Sequence, residues 1–471
     1  MLSSGRNIDL QDIFSYELAP VPTSMFTQDG MRICTAKSKL KHMLQVEVPQ
    51  THAANADIIV IDGSALLWTI HWPVDGTVAD FVENVKTRLA KYLYSSDVYL
   101  VFDRYYENSI KTTAREERQS GVVSRKHHLL RSTKLPAQKT ILSSTENKKQ
   151  LVAILCDELT GDRIFHHEKT FEHKLVVTGE SPIPIEIHGE DIRHRDDLET
   201  HQEEADTIIV QQVLENVNEA CQISVISDDT DVFVLLLYHY QMKGLSLQMN
   251  MISPKKNSTA IDIKQTATNH HSLISQLLPA HALSGCDTVA SMHGIGKGTV
   301  LKAIKDGCDL SALGNKNAPL SDVIEQASSF ISSCYGVNGS KDMTFTRLHV
   351  WLKKSGKGQF SATNLSALPP TREAFCENVK RAHLQTMLWR NLRADARSLK
   401  AEEFGWKMEN NKLTPIPSQN SLNVAPEYIL KLIKCGCKSV PVCRSRCSCK
   451  EKNLPCTNFC GCFRDGCSRA N

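Results

Sequence analysis

Short apolar runs that end in a carboxylate recur along the chain. Residues 57–62 and 98–103 are two such runs, and each has the continuous apolar character of a strand buried on both faces. Between them, residues 77–94 repeat apolar side chains at helical spacing: Val78, Phe81, Val82, Val85, Leu89 and Leu93. A strand, a helix and a second strand in this order predict an α/β fold with a central, mostly parallel sheet.

The same patterns predict further elements downstream. These are strands at 174–178, 183–188 and 223–231, and helices at 203–217, 271–305 and 372–392. The turn Gly294-Ile-Gly-Lys-Gly298 interrupts the helical pattern of residues 271–305. In a parallel sheet the functional groups gather at the carboxyl ends of the strands, and three of the predicted strands end in Asp.

The pattern divides the chain of 471 residues into five segments. Residues 414–426 contain three prolines together with several Ser and Asn, which is typical of a linker. The predicted segments are an N-terminal extension (1–56), an α/β domain (57–310), a helical extension (311–413), a linker (414–434) and a cysteine-rich domain (435–467).

Composition and charge narrow the class of protein. Hydrophobic residues make up 41% of the chain and charged residues 23%, which is typical of a globular protein. The net charge of +3 does not by itself select a partner. There is no run of about 18 apolar residues, so no membrane span is expected, and residues 1–7 lack a secretory pattern. We therefore expect an intracellular protein.

The acidic residues at the strand ends form the main candidate site. They occur in five places: Asp62, Asp103, Glu203-Glu204-Ala-Asp206, Asp228-Asp229-Thr-Asp231 and Asp287. A single Asp after a strand more often caps a helix or begins a turn. For the whole set together, a site for hard divalent cations such as Mg²⁺ is the better explanation. Composition alone leaves a nuclease, a phosphatase or another Mg²⁺ enzyme open.

The acidic segments resemble, in order, the motifs of the flap endonuclease family of 5′-nucleases, over roughly residues 57–310. The matching segments are Ile59-Val-Ile-Asp-Gly-Ser64, Leu100-Val-Phe-Asp103, Glu203-Glu-Ala-Asp206, Ile226-Ser-Asp-Asp-Thr-Asp231 and Ser284-Gly-Cys-Asp287, followed by Gly294-Ile-Gly-Lys-Gly298. The resemblance implies a PIN-like nuclease fold with a helix–two-turn–helix. It also implies phosphodiester hydrolysis with two Mg²⁺ or Mn²⁺ ions.

The resemblance also implies which carboxylates hold which ion. Asp62, Asp103, Glu204 and Asp206 would surround the first ion, and Asp229, Asp231 and Asp287 would complete the second. Glu203 and Asp228 are adjacent alternatives in register. A cluster this acidic should repel itself without metal, so a divalent ion is expected to stabilise the fold.

Several residues are candidates for contact with nucleic acid. The resemblance implies that the Gly294–Gly296 turn binds the DNA backbone, with Lys297 and Lys302 adding charge. The alternative is an ordinary helix–helix turn without a function in binding. A nucleotide-binding P-loop is excluded, because the order is Gly-Lys-Gly-Thr and no strand precedes it. Trp68 is a candidate for stacking on a base or, alternatively, a core tryptophan.

The polar segment 104–135 is rich in Lys and Arg. Lys111 and Arg118 are spaced like two cations that polarise the scissile phosphate in the resembled family. A basic segment of this kind is more often a solvent-exposed surface without a catalytic role.

Nine of the 16 cysteines lie between residues 435 and 467, at Cys435, Cys437, Cys443, Cys447, Cys449, Cys456, Cys460, Cys462 and Cys467. In a reducing compartment such density indicates metal ligands rather than the disulfides of a secreted fold. Nine thiolates do not divide into separate four-cysteine sites, but bridging thiolates could hold about three zinc ions. The segment resembles the tesmin-like CXC module of DNA-binding chromatin proteins.

Charge in the same segment favours nucleic acid as its partner. Residues 431–471 carry nine Lys or Arg and only two acidic residues. Arg446 occupies the position where some relatives insert a tyrosine into the minor groove, and an arginine suits a narrow minor groove.

The sequence thus predicts a nuclear, metal-dependent nuclease that cleaves branched or single-stranded DNA and is tethered to DNA by its zinc module. Two alternatives stay open: a catalytically silent DNA-binding or chromatin protein on a nuclease scaffold, and a nuclease directed at RNA. More than fifty residues precede the first predicted strand, which departs from flap-type members of the resembled family.

Overall fold

The computed structural model describes most of the chain up to residue 418 and short pieces beyond it. The described residues are 9–53, 56–106, 109–112, 125–161, 172–255, 258–355, 364–393, 395, 398–418, 424–426, 429, 435–437, 447, 456 and 460–462. Within them, none of the helices combines the length and apolar character needed to cross a membrane.

A nine-stranded sheet forms the centre of the molecule, in the order β1-β9-β8-β7-β2-β3-β4-β5-β6. The strands are β1 (Glu47–Val48), β2 (Ile58–Asp62), β3 (Asp97–Val101), β4 (Leu175–Thr178), β5 (Ile185–His188), β6 (Asp191–His194), β7 (Gln222–Ile226), β8 (Gln248–Ile252) and β9 (Ala260–Asp262). The five strands from β8 to β4 are mutually parallel, and the strands at both edges pair antiparallel. The predicted α/β class with a mostly parallel central sheet is confirmed.

Strand β2 lies in the middle of this sheet because every one of its side chains is apolar or can be satisfied when buried. All five residues are buried, and β2 pairs with β3 on one side and β7 on the other. The chain leaves β2 towards β3 but leaves β7 towards β8, so the connections diverge between β2 and β7. Such a divergence opens a crevice at the carboxyl ends of the two strands.

Helices cover both faces of the sheet and continue beyond it. They are α1 (Leu10–Phe14), α2 (Ser38–Leu44), α3 (Gly63–Leu67), α4 (Val78–Leu93), α5 (Gln138–Leu142), α6 (Thr145–Gly161), α7 (Ala205–Glu215), α8 (Thr230–Met242), α9 (Ile263–Asn269), α10 (His271–Leu283), α11 (Lys297–Lys305), α12 (Leu320–Cys334), α13 (Met343–Ser355) and α14 (Arg372–Arg390). Short 3₁₀ turns lie at Gln50–Ala53, Asp196–Leu198, Leu365–Ala367 and Ala401–Phe404. Strands β10 (Trp406–Glu409) and β11 (Lys412–Pro415) form a separate hairpin.

The predicted segment boundaries do not coincide with breaks in packing. Leu40 of the predicted N-terminal extension and Phe375 of the predicted helical extension belong to one buried cluster with Val232 of the α/β domain. Strand β1, also in the predicted extension, pairs with β9 in the central sheet. The predicted linker begins at residue 414, which lies inside β11, and the preceding Leu413 packs with Trp406 in a smaller apolar cluster. Leu40 and strand β1, which the sequence assigns to the N-terminal extension, thus pack against the α/β domain.

Candidate metal centre

The carboxylates at the ends of β2 and β7 are fixed by the helices that follow them. Asp62 begins α3, and its Oδ1 accepts a hydrogen bond of 3.0 Å from the backbone N–H of Ala65. Asp229 begins α8 in the same way, and its Oδ1 accepts a hydrogen bond of 2.8 Å from the N–H of Asp231. Helix capping, the structural alternative for these aspartates, uses only Oδ1 of each carboxylate, and Oδ2 of Asp62 accepts a further hydrogen bond of 3.1 Å from Ser227 Oγ.

Strand β3 and helix α7 bring further carboxylates to the same edge. Asp103 follows β3 by two residues, and its Oδ1 accepts a hydrogen bond of 3.1 Å from the N–H of Ala205, the first residue of α7. Glu204 and Asp206 therefore lie beside Asp103 at the amino end of α7. A helix amino end favours negative charge.

A place for a cation lies where these elements meet. Asp206, Asp229 and Asp231 each offer a carboxylate oxygen, and the three oxygens lie within 4.8 Å of one another. The other four predicted carboxylates lie close enough to interact electrostatically with this group or with one another. Asp62 interacts with Asp103 and Asp229, and Glu204 interacts with Asp287 and Asp231. The structure thus brings the seven predicted carboxylates together.

Burial and mutual repulsion shift most of these groups towards the protonated form. Burial raises the pKa of Asp62 to about 6, with smaller contributions from the charges of Asp103 and Asp229. Burial, followed by neighbouring carboxylates, also raises the pKa of Asp206 and of Asp229. Ionising all of them at neutral pH is therefore costly. A divalent cation would remove that cost, and oxygen-only ligands are those that Mg²⁺ and Mn²⁺ prefer.

Asp231 behaves differently because two basic side chains contact it. Burial by itself raises the pKa of this carboxyl, but the Lys37 ammonium and His281 outweigh burial and hold the pKa well below its usual range. His281 Nε2 lies 2.8 Å from Asp231 Oδ1, and both side chains are almost fully buried. The imidazole also stacks on Trp389, with the ring centroids 5.8 Å apart. Burial lowers the pKa of His281 to about 4, and the hydrogen bond of the ring orients Asp231.

Two lysines contact Glu204, Asp231 and Asp287. Lys111, which the sequence identified, places Nζ 3.1 Å from Glu204 Oε2 and 3.9 Å from Asp287 Oδ2. Lys37 places Nζ 2.9 Å from Asp231 Oδ2 and 2.6 Å from Asp287 Oδ1. Burial lowers the pKa of both lysines, but the surrounding carboxylates outweigh it and raise the pKa, so both are charged. Arg118 lies outside the described residues.

Sequence reasoning missed Lys37, His281 and Lys148. Lys148, on α6, places Nζ 3.8 Å from Asp103 Oδ2. None of the three belongs to an acidic motif, and Lys37 and His281 are separated from Asp231 by 194 and 50 residues. A search for basic residues near the motifs could not have found Lys37, because only the tertiary fold brings it there.

The structure also separates the adjacent carboxylates. Glu203 accepts a hydrogen bond from Ser109 Oγ. Asp228 pairs with Lys255, whose Nζ lies 2.9 Å from Asp228 Oδ2. Glu204 and Asp229, in contrast, interact with the other carboxylates of the cleft. These contacts favour Glu204 and Asp229 as the members of the candidate site.

The glycine turn lies between α10 and α11, at one side of the cleft. Gly294 has φ of +81°, a conformation that L side chains rarely adopt, and a Cβ added at Gly294 or Gly296 would meet no heavy atom within 4 Å. Gly296 begins α11. The turn is therefore open to an approaching backbone phosphate, as predicted for a contact with DNA, and that contact stays a prediction.

The two lysines after this turn lie in different environments. Lys302 is exposed on α11, whereas Lys297 is only 1% exposed. Lys297 Nζ donates hydrogen bonds to His281 O, Ser284 Oγ and Gly285 O at 2.8 to 2.9 Å. The sequence suggested that Lys297 adds charge for binding DNA. In the structure its Nζ binds acceptors at the end of α10 instead, and it does not reach the surface.

Substituting the two lysines should therefore have different effects. Lys297→Ala is expected to lower the free energy of unfolding by about 2–4 kcal/mol, since it removes a buried donor that three acceptors share. Lys302→Ala should leave stability within about 0.5 kcal/mol of the wild type. Urea unfolding of both variants measures the difference. Equal stability of the two variants would contradict the structural role of Lys297.

Other predicted contacts with nucleic acid have mixed outcomes. Trp68 is 46% exposed just after α3, so it is not a core tryptophan, and base stacking stays a prediction. Arg104, within the basic segment, is fully buried and donates hydrogen bonds to four backbone carbonyls, those of Gly179, Ser181, Thr200 and Gln202. Its role is therefore to hold the segments around the cleft together.

Six of the nine tail cysteines fall within the described residues, and they form two overlapping groups. Cys435, Cys456, Cys460 and Cys462 form one group, and Cys435, Cys437 and Cys447 form the other; within each, the sulfurs lie within 4.8 Å of one another. Cys435 is common to both, which suits a bridging thiolate and zinc as the metal. Cys443, Cys449, Cys467 and Arg446 lie outside the described residues.

Comparisons with known proteins find likeness in solved structures only. No protein-family model matches the chain, and no curated protein sequence matches it. The chain is similar to the catalytic core of Rad2 in complex with DNA substrate, at 12% identity over 74% of this chain and 96% of that one, with a TM-score of 0.35. It is also similar to the bacteriophage T5 D15 flap endonuclease, in a pseudo-enzyme-product complex with DNA and metal ions, at 14% identity over 69% of this chain and 98% of that one, with a TM-score of 0.34. Human GEN1 in complex with Holliday junction DNA aligns at 11% identity over 76% of this chain and 77% of that one, with a TM-score of 0.34.

Proposed function

We propose that this protein is a divalent-metal-dependent nuclease that hydrolyses phosphodiester bonds of DNA. The observation that carries the proposal is the group formed by Asp206, Asp229 and Asp231, whose carboxylate oxygens lie within 4.8 Å of one another at the carboxyl edge of the sheet. Four more carboxylates border it, and they come from separate strands and helices. Several oxygen ligands delivered from different elements are what a phosphodiesterase metal centre requires.

The ligand sets follow the resemblance of the acidic motifs to those of flap endonucleases. Asp62, Asp103, Glu204 and Asp206 would hold one Mg²⁺ or Mn²⁺ ion, and Asp229, Asp231 and Asp287 a second. When bound, such ions activate a water molecule and neutralise charge on the leaving oxygen. The carboxylates of the chain fix the geometry, and His281 holds Asp231 in one orientation.

Basic and aromatic groups around the cleft would position the substrate. Lys111 is charged and points into the carboxylates, so it is placed to donate a hydrogen bond to the scissile phosphate and to stabilise charge that develops there. The amides of the Gly294–Gly296 turn would hold a backbone phosphate of the duplex. Trp68 would stack on a base near the cut.

The cysteine-rich segment would tether the nuclease to its substrate. The two sulfur groups that share Cys435 support a bridged zinc cluster of about three ions. The excess of Lys and Arg in residues 431–471 would bind DNA through its phosphates, and with less affinity at higher salt. We propose the nucleus as the compartment in which the protein would meet this DNA.

Incubation with a panel of substrates tests the proposal. Flap, single-stranded and duplex DNA and single-stranded RNA of equal length are incubated with the full chain, with Mg²⁺, with Mn²⁺ and without a divalent ion. We expect cleavage of branched or single-stranded DNA that requires one of the two ions. Binding of DNA without cleavage in either ion would favour a silent scaffold, and cleavage of RNA alone would favour an RNA-directed nuclease.

A further inference from the structure

Lys37 lies where the proposed second ion would be held. Its Nζ donates hydrogen bonds to Asp231 Oδ2 at 2.9 Å and to Asp287 Oδ1 at 2.6 Å. Asp231 and Asp287 are two of the three carboxylates assigned to that ion, and Asp229 also interacts with the Lys37 charge. The Lys37 side chain thus interacts with all three proposed ligands of the second ion.

The backbone around Lys37 is fixed by the fold. Lys37 immediately precedes α2, whose Leu40 and Leu44 are buried in the main core. On the other side, the carbonyl of Ile33 accepts hydrogen bonds from the backbone N–H and from Oγ of Ser291. The ammonium therefore lies in the cleft because of packing on both sides of it, and not because a loose segment reaches towards negative charge.

Lys41, inside α2, has a different role from Lys37. Lys41, one turn further along α2, donates a hydrogen bond of 2.7 Å to the backbone carbonyl of Asp228. This contact anchors α2 to the loop that carries Asp229. Lys37 binds carboxylates instead of a backbone carbonyl. It therefore contributes a positive charge to the cleft.

A divalent ion and the Lys37 ammonium cannot share these oxygens without cost. Mg²⁺ sits about 2.1 Å from its oxygen ligands. An ion at that distance from Asp231 and Asp287 would bring two positive centres within a few ångströms of each other. Charges this close repel strongly in a partly buried site. The side chain of Lys37 is 23% exposed, so it has a path to solvent while its backbone stays in place.

We propose that Lys37 is a built-in cation that competes with a divalent ion for the position formed by Asp229, Asp231 and Asp287. The chain then binds one ion readily, and a second enters only when the Lys37 side chain withdraws. This inference rests on the proposed metal-dependent function, and it adds to it a residue that controls how many ions the cleft holds.

Titration with Mn²⁺ tests the competition without any measurement of activity. Isothermal titration calorimetry is performed on the zinc-loaded full chain, on Lys37→Met and on Lys39→Met. Lys39 is exposed on α2, so its substitution removes the same charge outside the cleft. We expect Lys37→Met to bind the second Mn²⁺ at least about tenfold more tightly than the wild type, since an opposing charge a few ångströms away is gone. Lys39→Met should match the wild type.

A second variant guards against loss of fold. Lys37→Gln removes the charge but keeps a hydrogen-bond donor, and it should also tighten the second ion. Equal numbers of ions and equal affinities in all four proteins would overturn the role of Lys37 while leaving the proposed nuclease intact. Failure of every protein to bind Mn²⁺ would overturn both proposals.

Discussion

Asp229→Asn is expected to reduce the rate of DNA cleavage by at least about a thousandfold, because it removes a charged ligand from the centre of the proposed metal cleft. DNA binding should not change, since Asp229 lies in the cleft and not on the surfaces proposed to hold the duplex. The fold should also persist. Asp229 caps α8 through Oδ1, which accepts the N–H of Asp231, and asparagine retains that acceptor.

Asp228→Asn is the matched control, because it makes the same chemical change one residue away. Asp228 pairs with Lys255 at the surface, and this contact contributes little to stability. Cleavage by Asp228→Asn should therefore stay near the wild-type rate. Single-turnover kinetics with excess enzyme, together with a binding assay in Ca²⁺, would separate the chemical step from affinity. Full activity of Asp229→Asn would reject the assigned site.

Among single substitutions of the described cysteines, Cys435→Ser should cause the largest loss of bound zinc. Cys435 belongs to both sulfur groups, so its loss opens both at once. Zinc supplies about 10–16 kcal/mol to the folding of small modules of this kind, so the tail should lose its protease resistance. Inductively coupled plasma mass spectrometry of the purified protein would give the zinc content, with about three ions expected in the wild type.

Cys437→Ser is the comparison, because Cys437 belongs to only one of the two groups. It should retain more zinc than Cys435→Ser does. If the two variants retain equal amounts, the thiolate of Cys435 does not bridge. A wild-type protein with a single zinc ion would contradict the cluster altogether.

The centre of the fold could be predicted because its local sequence is unambiguous. The run that ends at Asp62 is apolar on both faces and follows the pattern of a parallel strand, and it forms β2. Helix α4 follows from apolar spacing and from Thr77 and Asp80, which form a capping box at its start. Strand-terminal carboxylates lie together because parallel strands end at one edge of the sheet.

The remaining parts depend on contacts between distant residues. Strand β1 has two residues, which is too short for a pattern, and it forms because β9 offers an open edge. Lys297 and Lys302 have the same side chain and neighbouring positions, yet one is buried and the other exposed. The two carbonyls and the Ser284 hydroxyl at the end of α10 bind Lys297, and no periodicity in the sequence predicts those contacts.

The order in which the chain is synthesised gives the position of Lys37 a further consequence. Lys37 emerges from the ribosome 250 residues before Asp287, and strand β1 emerges long before its partner β9. Pairings between residues so far apart in the chain form slowly, and the segments that are synthesised first stay without their partners until then. A chain that terminates before residue 287 cannot assemble the complete acidic cleft. Such a fragment would lack one of the proposed ligands of the second ion, and Lys37 would keep Asp231 as its partner but not Asp287.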